Sequence, residues 1–311
     1  MFSGETTMTR IILTFAAALA MTTPALAAPL GPLVTPDQLQ GAEDAVVLDI
    51  RGADYAAGHI EDARDAPYAL FRGPAENPGA VIPEDDLEQV LEQLGLAPDQ
   101  PVVITAQGAT DTDFGAAARV YWTLKSAGFT DLSILNGGMQ AWVNAGLPLS
   151  QEAVDIRPTE LDITWNDTWT ADSAEIADVV AGNRQAALLD ARPAEFFEGE
   201  TAHEAAARPG TLPGAQNLQY TEFFQPGATA ISTPGDVRAL LAKYGVEEDE
   251  EVVSFCNTGH WAATNWFALS ELGGVPNVTL YPGSMVEYSA TDGPMQNQPG
   301  LLQNLLGQFA K

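Results

Sequence analysis

Residues Val252–Ala262 read VVSFCNTGHWA. A short apolar run bounded by turn-forming residues reads as a buried strand. Cys256 closes that run, Asn257, Thr258, Gly259, His260 and Trp261 form a loop, and a helical pattern begins near Ala262. The cysteine therefore stands at the carboxyl end of a strand, where open parallel sheets gather their ligands. Consecutive N–H groups in such a loop can converge as an anion nest, and the helix N-terminus adds positive potential. Gly259 permits the backbone turn that the loop needs. Both electrostatic effects favour a thiolate over a thiol. The alternative is that Cys256, the one cysteine of 311 residues, is a small buried hydrophobe.

The pattern around this stretch occurs twice. Val46–Arg51 (VVLDIR) is echoed by Ala187–Arg192 (ALLDAR), so each half opens on a strand that ends in Asp-x-Arg. Pro101–Ala106 (PVVITA) is echoed by Glu251–Cys256 (EVVSFC), which puts Ala106 where the other half has its cysteine. Helical stretches follow at 115–127 and 262–272, then strands Leu132–Leu135 and Val278–Tyr281, each succeeded by a glycine turn. Strands alternating with helices at this spacing predict parallel βαβ units, and two copies predict two α/β domains of similar build. Pro148, Pro158 and several acids mark an extended linker between them.

LDIRGADYAAGHI, LDARPAEFFEG, RPGTLPGAQNL, the strand–Cys–loop–helix unit and LYPGSMVEYS resemble the tandem rhodanese sulfurtransferases, in that order and in two copies. The resemblance implies an inactive rhodanese-like domain over 33–150, a linker at 151–166, a catalytic rhodanese-like domain over 167–295 and a tail at 296–311. It implies that the Cys256 thiolate takes a sulfane sulfur from a small anionic donor and passes it to a thiol or cyanide. A thioredoxin-like protein is a further acceptor, and neither metal nor organic cofactor is called for. Thiosulfate-type members carry Cys-Arg-Lys-Gly in this loop and mercaptopyruvate-type members Cys-Gly-Ser-Gly. The loop Cys-Asn-Thr-Gly-His-Trp matches neither and leaves the donor open; thiosulfate is the first expectation because an exported protein meets an oxidising compartment, and 3-mercaptopyruvate is the second.

Among the neighbours, Asn257 and Thr258 can donate hydrogen bonds to a substrate or only shape the loop. His260 can add positive charge beside the sulfur or bind the donor, and Trp261 can wall the pocket or pack. Arg192 is the candidate cation facing substrate. A buried Asp190–Arg192 brace is the competing reading, because Asp49 and Arg51 recur in the half without a cysteine. Glu195, His203 and Arg208 are outlying candidates. His59, Trp122, Trp142 and Trp266 read as structural.

Two other functions compete. A cysteine phosphatase needs an arginine at the end of the loop to clamp phosphate, but position 262 is Ala262 and no arginine follows it. A non-catalytic sulfur-carrier or interaction module keeps the fold and leaves the thiol unmodified. The net charge of −29, from 42 acids and 13 bases, argues against nucleic acid and anionic membranes as partners. Arg10, the apolar run IILTFAAALAM and the exit Ala25-Leu26-Ala27 read as a signal peptide over 1–27, with Met8 as an alternative start. The expectation is an exported protein, periplasmic or secreted, monomeric, and off the membrane once cleaved.

Overall fold

Two runs of strand–helix alternation build two separate parallel sheets in the computed structural model, which describes Met1 and residues 30–232, 235–247 and 249–300. The expected signal peptide and the end of the expected tail lie outside the described residues. In the first half, β1 (Leu33–Val34), β2 (Val46–Asp49), β3 (Arg64–Asp65), β4 (Val102–Thr105) and β5 (Leu132–Leu135) form a sheet in the order β1-β5-β4-β2-β3. In the second, β6 (Ala187–Asp190), β7 (Gln216–Asn217), β8 (Val252–Phe255) and β9 (Val278–Leu280) are ordered β7-β6-β8-β9. Every strand pair is parallel. An isolated parallel bridge between Thr170 and Leu280 sits where β1 sits in the first sheet. The central strands β4 and β8 are buried at every position, as strands covered on both faces must be.

The helices are α1 (Pro36–Gln40), α2 (Glu84–Gln93), α3 (Asp113–Ser126) and α4 (Gly138–Asn144) in the first half. The second half has α5 (Ser173–Val180), α6 (Ala194–Phe197), α7 (Val237–Lys243), α8 (Trp261–Phe267) and α9 (Ser284–Ser289). A π-turn over Ala268–Leu272 continues α8. Thr35 and Asp172 start α1 and α5 with reciprocal capping boxes.

One core cluster spans both halves, and a smaller one lies within each. Helices α3 and α8 lie side by side, and Phe114 and Tyr121 meet Phe267 edge-on at 5.4 and 5.0 Å between ring centroids. That contact explains why α3 is buried almost all round, where a surface helix would keep a polar face. The segment joining the halves is extended and tied to α2. The N–H groups of Leu161, Ile163 and Trp165 donate to the carboxylates of Glu92, Glu88 and Glu84 at 3.0, 2.9 and 2.8 Å. Alternate residues of an extended chain thus meet successive turns of a helix.

Candidate active site

Cys256 follows β8 directly and exposes only 1% of its surface. Its N–H and that of Gly259 donate to the Ser284 hydroxyl at 3.0 and 3.2 Å, and that hydroxyl donates to the Tyr281 carbonyl at 2.7 Å. Ser284 itself has φ +50°, a left-handed conformation that non-glycine residues rarely adopt. The sequence pointed to the Gly283 turn but not to Ser284, the residue that anchors the start and the middle of the loop.

The remaining loop N–H groups, those of Asn257, Thr258, His260 and Trp261, donate to no acceptor among the described residues. The matching loop of the first half differs. There the Asp113 carboxylate takes the N–H groups of Ala109 and Thr110 at 2.8 and 3.1 Å. One loop is filled by its own anion; the other, beside the thiol, holds free donors at the start of α8.

Arg192 is buried and bound to Asp190 through Nε, at 2.9 and 3.1 Å, and Nη2, at 2.6 Å. Nη2 also reaches the Gly210 carbonyl at 2.8 Å, and Nη1 reaches Asn257 Oδ1 at 3.3 Å. The Arg192 N–H at 3.0 Å and the Thr211 hydroxyl at 2.7 Å also donate to the Asp190 carboxylate. This geometry is that of a brace that steadies the loop from below. Arg51 and Asp49 form the same pair in the first half, at 2.7 Å. The Asn257 amide nitrogen and the Thr258 hydroxyl bond to no described residue, and these residues are 4% and 8% exposed.

His260 adds no positive charge beside the sulfur, the first of the two roles open to it. Its Nε2 lies 2.8 Å from the Thr112 carbonyl and 3.3 Å from that residue's hydroxyl, and its Nδ1 lies 3.1 Å from the Tyr68 hydroxyl. A carbonyl only accepts, so Nε2 carries the proton and Nδ1 accepts from Tyr68. Burial, and then the Arg72 guanidinium, push the His260 pKa down to about 4 against the opposing bond to Thr112. The imidazole is neutral at ordinary pH and turned toward the first half. Trp261 stacks flat on Tyr220, with ring centroids 5.3 Å apart, and donates to the Thr112 hydroxyl at 2.7 Å. Both residues seal the seam between the halves.

The charge beside the loop comes from residues that the sequence did not single out. Arg72 donates to the Thr258 carbonyl at 2.9 Å and to the Tyr68 hydroxyl at 3.0 Å. Arg119, on α3, donates through Nη2 to the Gly79 carbonyl at 2.8 Å. Its guanidinium packs so closely on Gly259 that a Cβ there would collide with it. The one signal available was a lone arginine in an otherwise apolar stretch of helix, AAARVYW. The outlying candidates fall elsewhere: Arg208 binds the carbonyls of Ser289, Thr291 and Gly293, and His203 closes its own turn with Ala205. Glu195 sits in the first turn of α6. His59 stacks on Tyr55 at 3.9 Å in the first half.

Residues 36–145 and 173–291 each match the rhodanese-like domain. The chain belongs to the rhodanese family. It is 30% identical to the thiosulfate sulfurtransferase of Azotobacter vinelandii over 261 residues, 82% of this chain and 93% of that one. It is also 30% identical to the 3-mercaptopyruvate sulfurtransferase of Escherichia coli K12 over 241 residues, 76% of this chain and 82% of the relative. The crystal structure of SseA from Escherichia coli, a 3-mercaptopyruvate sulfotransferase with the rhodanese fold, superposes with a TM-score of 0.70. It shares 26% identity and covers 82% of this chain and 98% of its own.

Proposed function

We propose that this rhodanese is a sulfurtransferase whose sulfur carrier is Cys256, with thiosulfate as the first donor to test and 3-mercaptopyruvate as the second. The observation that carries this reading is the one thiol of the chain at the end of β8, beneath a loop whose free N–H groups face no internal anion. With thiosulfate, the Cys256 thiolate attacks the sulfane sulfur. The new S–S bond forms as the old one breaks, and sulfite leaves with the electron pair. The enzyme then holds a Cys256 persulfide whose outer sulfur is anionic at neutral pH. A nucleophile such as cyanide or a thiolate attacks that outer sulfur and Cys256 departs as thiolate.

The free loop donors are available to the anionic outer sulfur of the persulfide, and Arg192 and Ser284 keep the loop in register. The first half contributes walls and no nucleophile, since Ala106 stands at the cysteine position. With Cys256 1% exposed, the site favours small donors and acceptors over a protein thiol. The leader-like sequence up to Ala27 suggests that this chemistry runs outside the cytoplasm.

The test is the intact mass after incubation with thiosulfate or 3-mercaptopyruvate. A gain of one sulfur atom that cyanide then removes, as thiocyanate, supports the reading. An unchanged mass with every donor returns the protein to the non-catalytic module.

A further inference from the structure

Arg119 is 1% exposed, and two of its nitrogens, Nε and Nη1, have no hydrogen-bond partner. The only hydrogen bond its guanidinium makes among the described residues is to the Gly79 carbonyl, and its guanidinium carbon lies 4.8 Å from the Trp122 ring centroid. No carboxylate among the described residues pairs with Arg119 or with Arg72, although the chain carries 42 acids. Buried charges are ordinarily paired, because leaving the N–H groups of a guanidinium unmet is expensive. Two neighbouring cations without a counter-ion, one of them with orphaned donors, therefore mark a place kept for an anion.

That place adjoins the thiol loop. Arg119 packs on Gly259, and Arg72 holds the Thr258 carbonyl. Burial, and next the charge of Arg72, lower the Arg119 pKa to about 9, while Tyr68 and Cys256 act in the other direction. Arg119 thus remains a cation at neutral pH and feels charge at the sulfur. The loop itself contains no lysine or arginine.

We propose that Arg119, with Arg72 beside it, is an anion site built by the first half for the chemistry of the second. It takes the negative group that a small donor carries next to its sulfane sulfur, whether sulfonate or carboxylate, and afterwards faces the anionic outer sulfur of the persulfide. This rests on the sulfur-transfer reading of Cys256. It assigns the half without a cysteine a direct part in binding.

The experiment compares alkylation of Cys256 by iodoacetate, which is anionic, with alkylation by iodoacetamide, which is neutral. The ratio of the two rates reads the local charge and cancels changes in thiol reactivity. A full charge roughly 7–10 Å away across an effective dielectric of about 20–40 changes such a ratio on the order of tenfold. Arg119→Met is expected to lower the ratio by about that factor, and Arg119→Lys to keep it within about threefold of wild type. Sulfate, used as an inert anion, should protect wild-type Cys256 from iodoacetamide and protect Arg119→Met less. If Arg119→Met does not fold, Arg72→Met and Arg119→Lys carry the comparison, with a fall expected in the first only. Equal ratios in wild type and every folded variant would overturn the proposal. A wild type that takes sulfur from no donor would instead overturn the sulfur-transfer reading and leave the ratios to be judged separately.

Discussion

The neutral state of His260 makes the stability of the seam depend on pH in a defined direction. The ring is wedged between the Thr112 carbonyl and the Tyr68 hydroxyl, and its pKa falls from 6.5 to about 4. Above about pH 6.5 the imidazole is neutral in both folded and unfolded chains, and the group adds no pH dependence. Between 6.5 and 4 the unfolded chain takes up a proton that the folded one refuses, so stability is lost as pH falls. At about 1.4 kcal/mol per pH unit, that interval amounts to at most about 3 kcal/mol, reached near pH 4. Partial exposure of the ring lowers the figure. Carboxylates titrate over the same range, so the measurement is a difference. Urea unfolding of wild type and His260→Gln at matched pH values gives the two curves. Gln keeps a donor for the Thr112 carbonyl and does not titrate. The wild type should lose about 2–3 kcal/mol more than the variant between pH 6.5 and 4. Parallel curves would mean that the histidine charges within the folded protein and that the Tyr68–His260–Thr112 chain is not as described.

Cys256→Ser should abolish sulfur loading by mass while keeping the cooperative unfolding transition, since one atom changes at a site held by main-chain bonds; turnover above background would remove the persulfide. Gly259→Ala places a Cβ at φ +67° against the Arg119 guanidinium and the Pro282 carbonyl, and should cost about 2–3 kcal/mol of stability along with activity. A variant as stable as wild type in urea would show the loop to be loose. Ala106→Cys should gain no sulfur from thiosulfate, because its cavity of about 10 Å³, lined by Gly108, Phe114 and Thr229, holds no donor; a second sulfur in the mass spectrum would contradict this.

The βαβ pattern was legible because buried parallel strands are short apolar runs, and β2, β4, β5, β6, β8 and β9 fall where those runs fall. The two-residue strands β1, β3 and β7 have no such signal and exist only through their neighbours. Cys256 and its loop were legible for the same reason as β8. The seam was not. Tyr68, Arg72 and Thr112 lie 148–192 residues from the loop atoms they touch, and nothing local distinguishes them from surface residues. The charge of His260 was not legible because it depends on burial and on Arg72, which no local pattern places beside it.

The duplication explains why a half without a nucleophile is kept. Each half extends the segment after its Pro67–Phe71 or Gln219–Phe223 region across the seam toward the other half's loop. From the second half, Ile231 exchanges two hydrogen bonds with Asn136, at 2.8 and 3.0 Å, and Thr229 lines what is left of the first half's pocket. Asp113 already satisfies that loop, so the pocket is closed from within and from across. From the first half, Gly79 rests on Pro282 and Gly283, and Asn77 binds Glu287 at 3.2 Å. Here no carboxylate of the described residues enters the loop, and a phenol and two guanidinium groups of the first half lie beside it. The same crossing that closes one site furnishes the other with cations. Removing the first half would therefore strip the charge from beside Cys256 and expose the apolar face of α8, so the catalytic half is not expected to work alone.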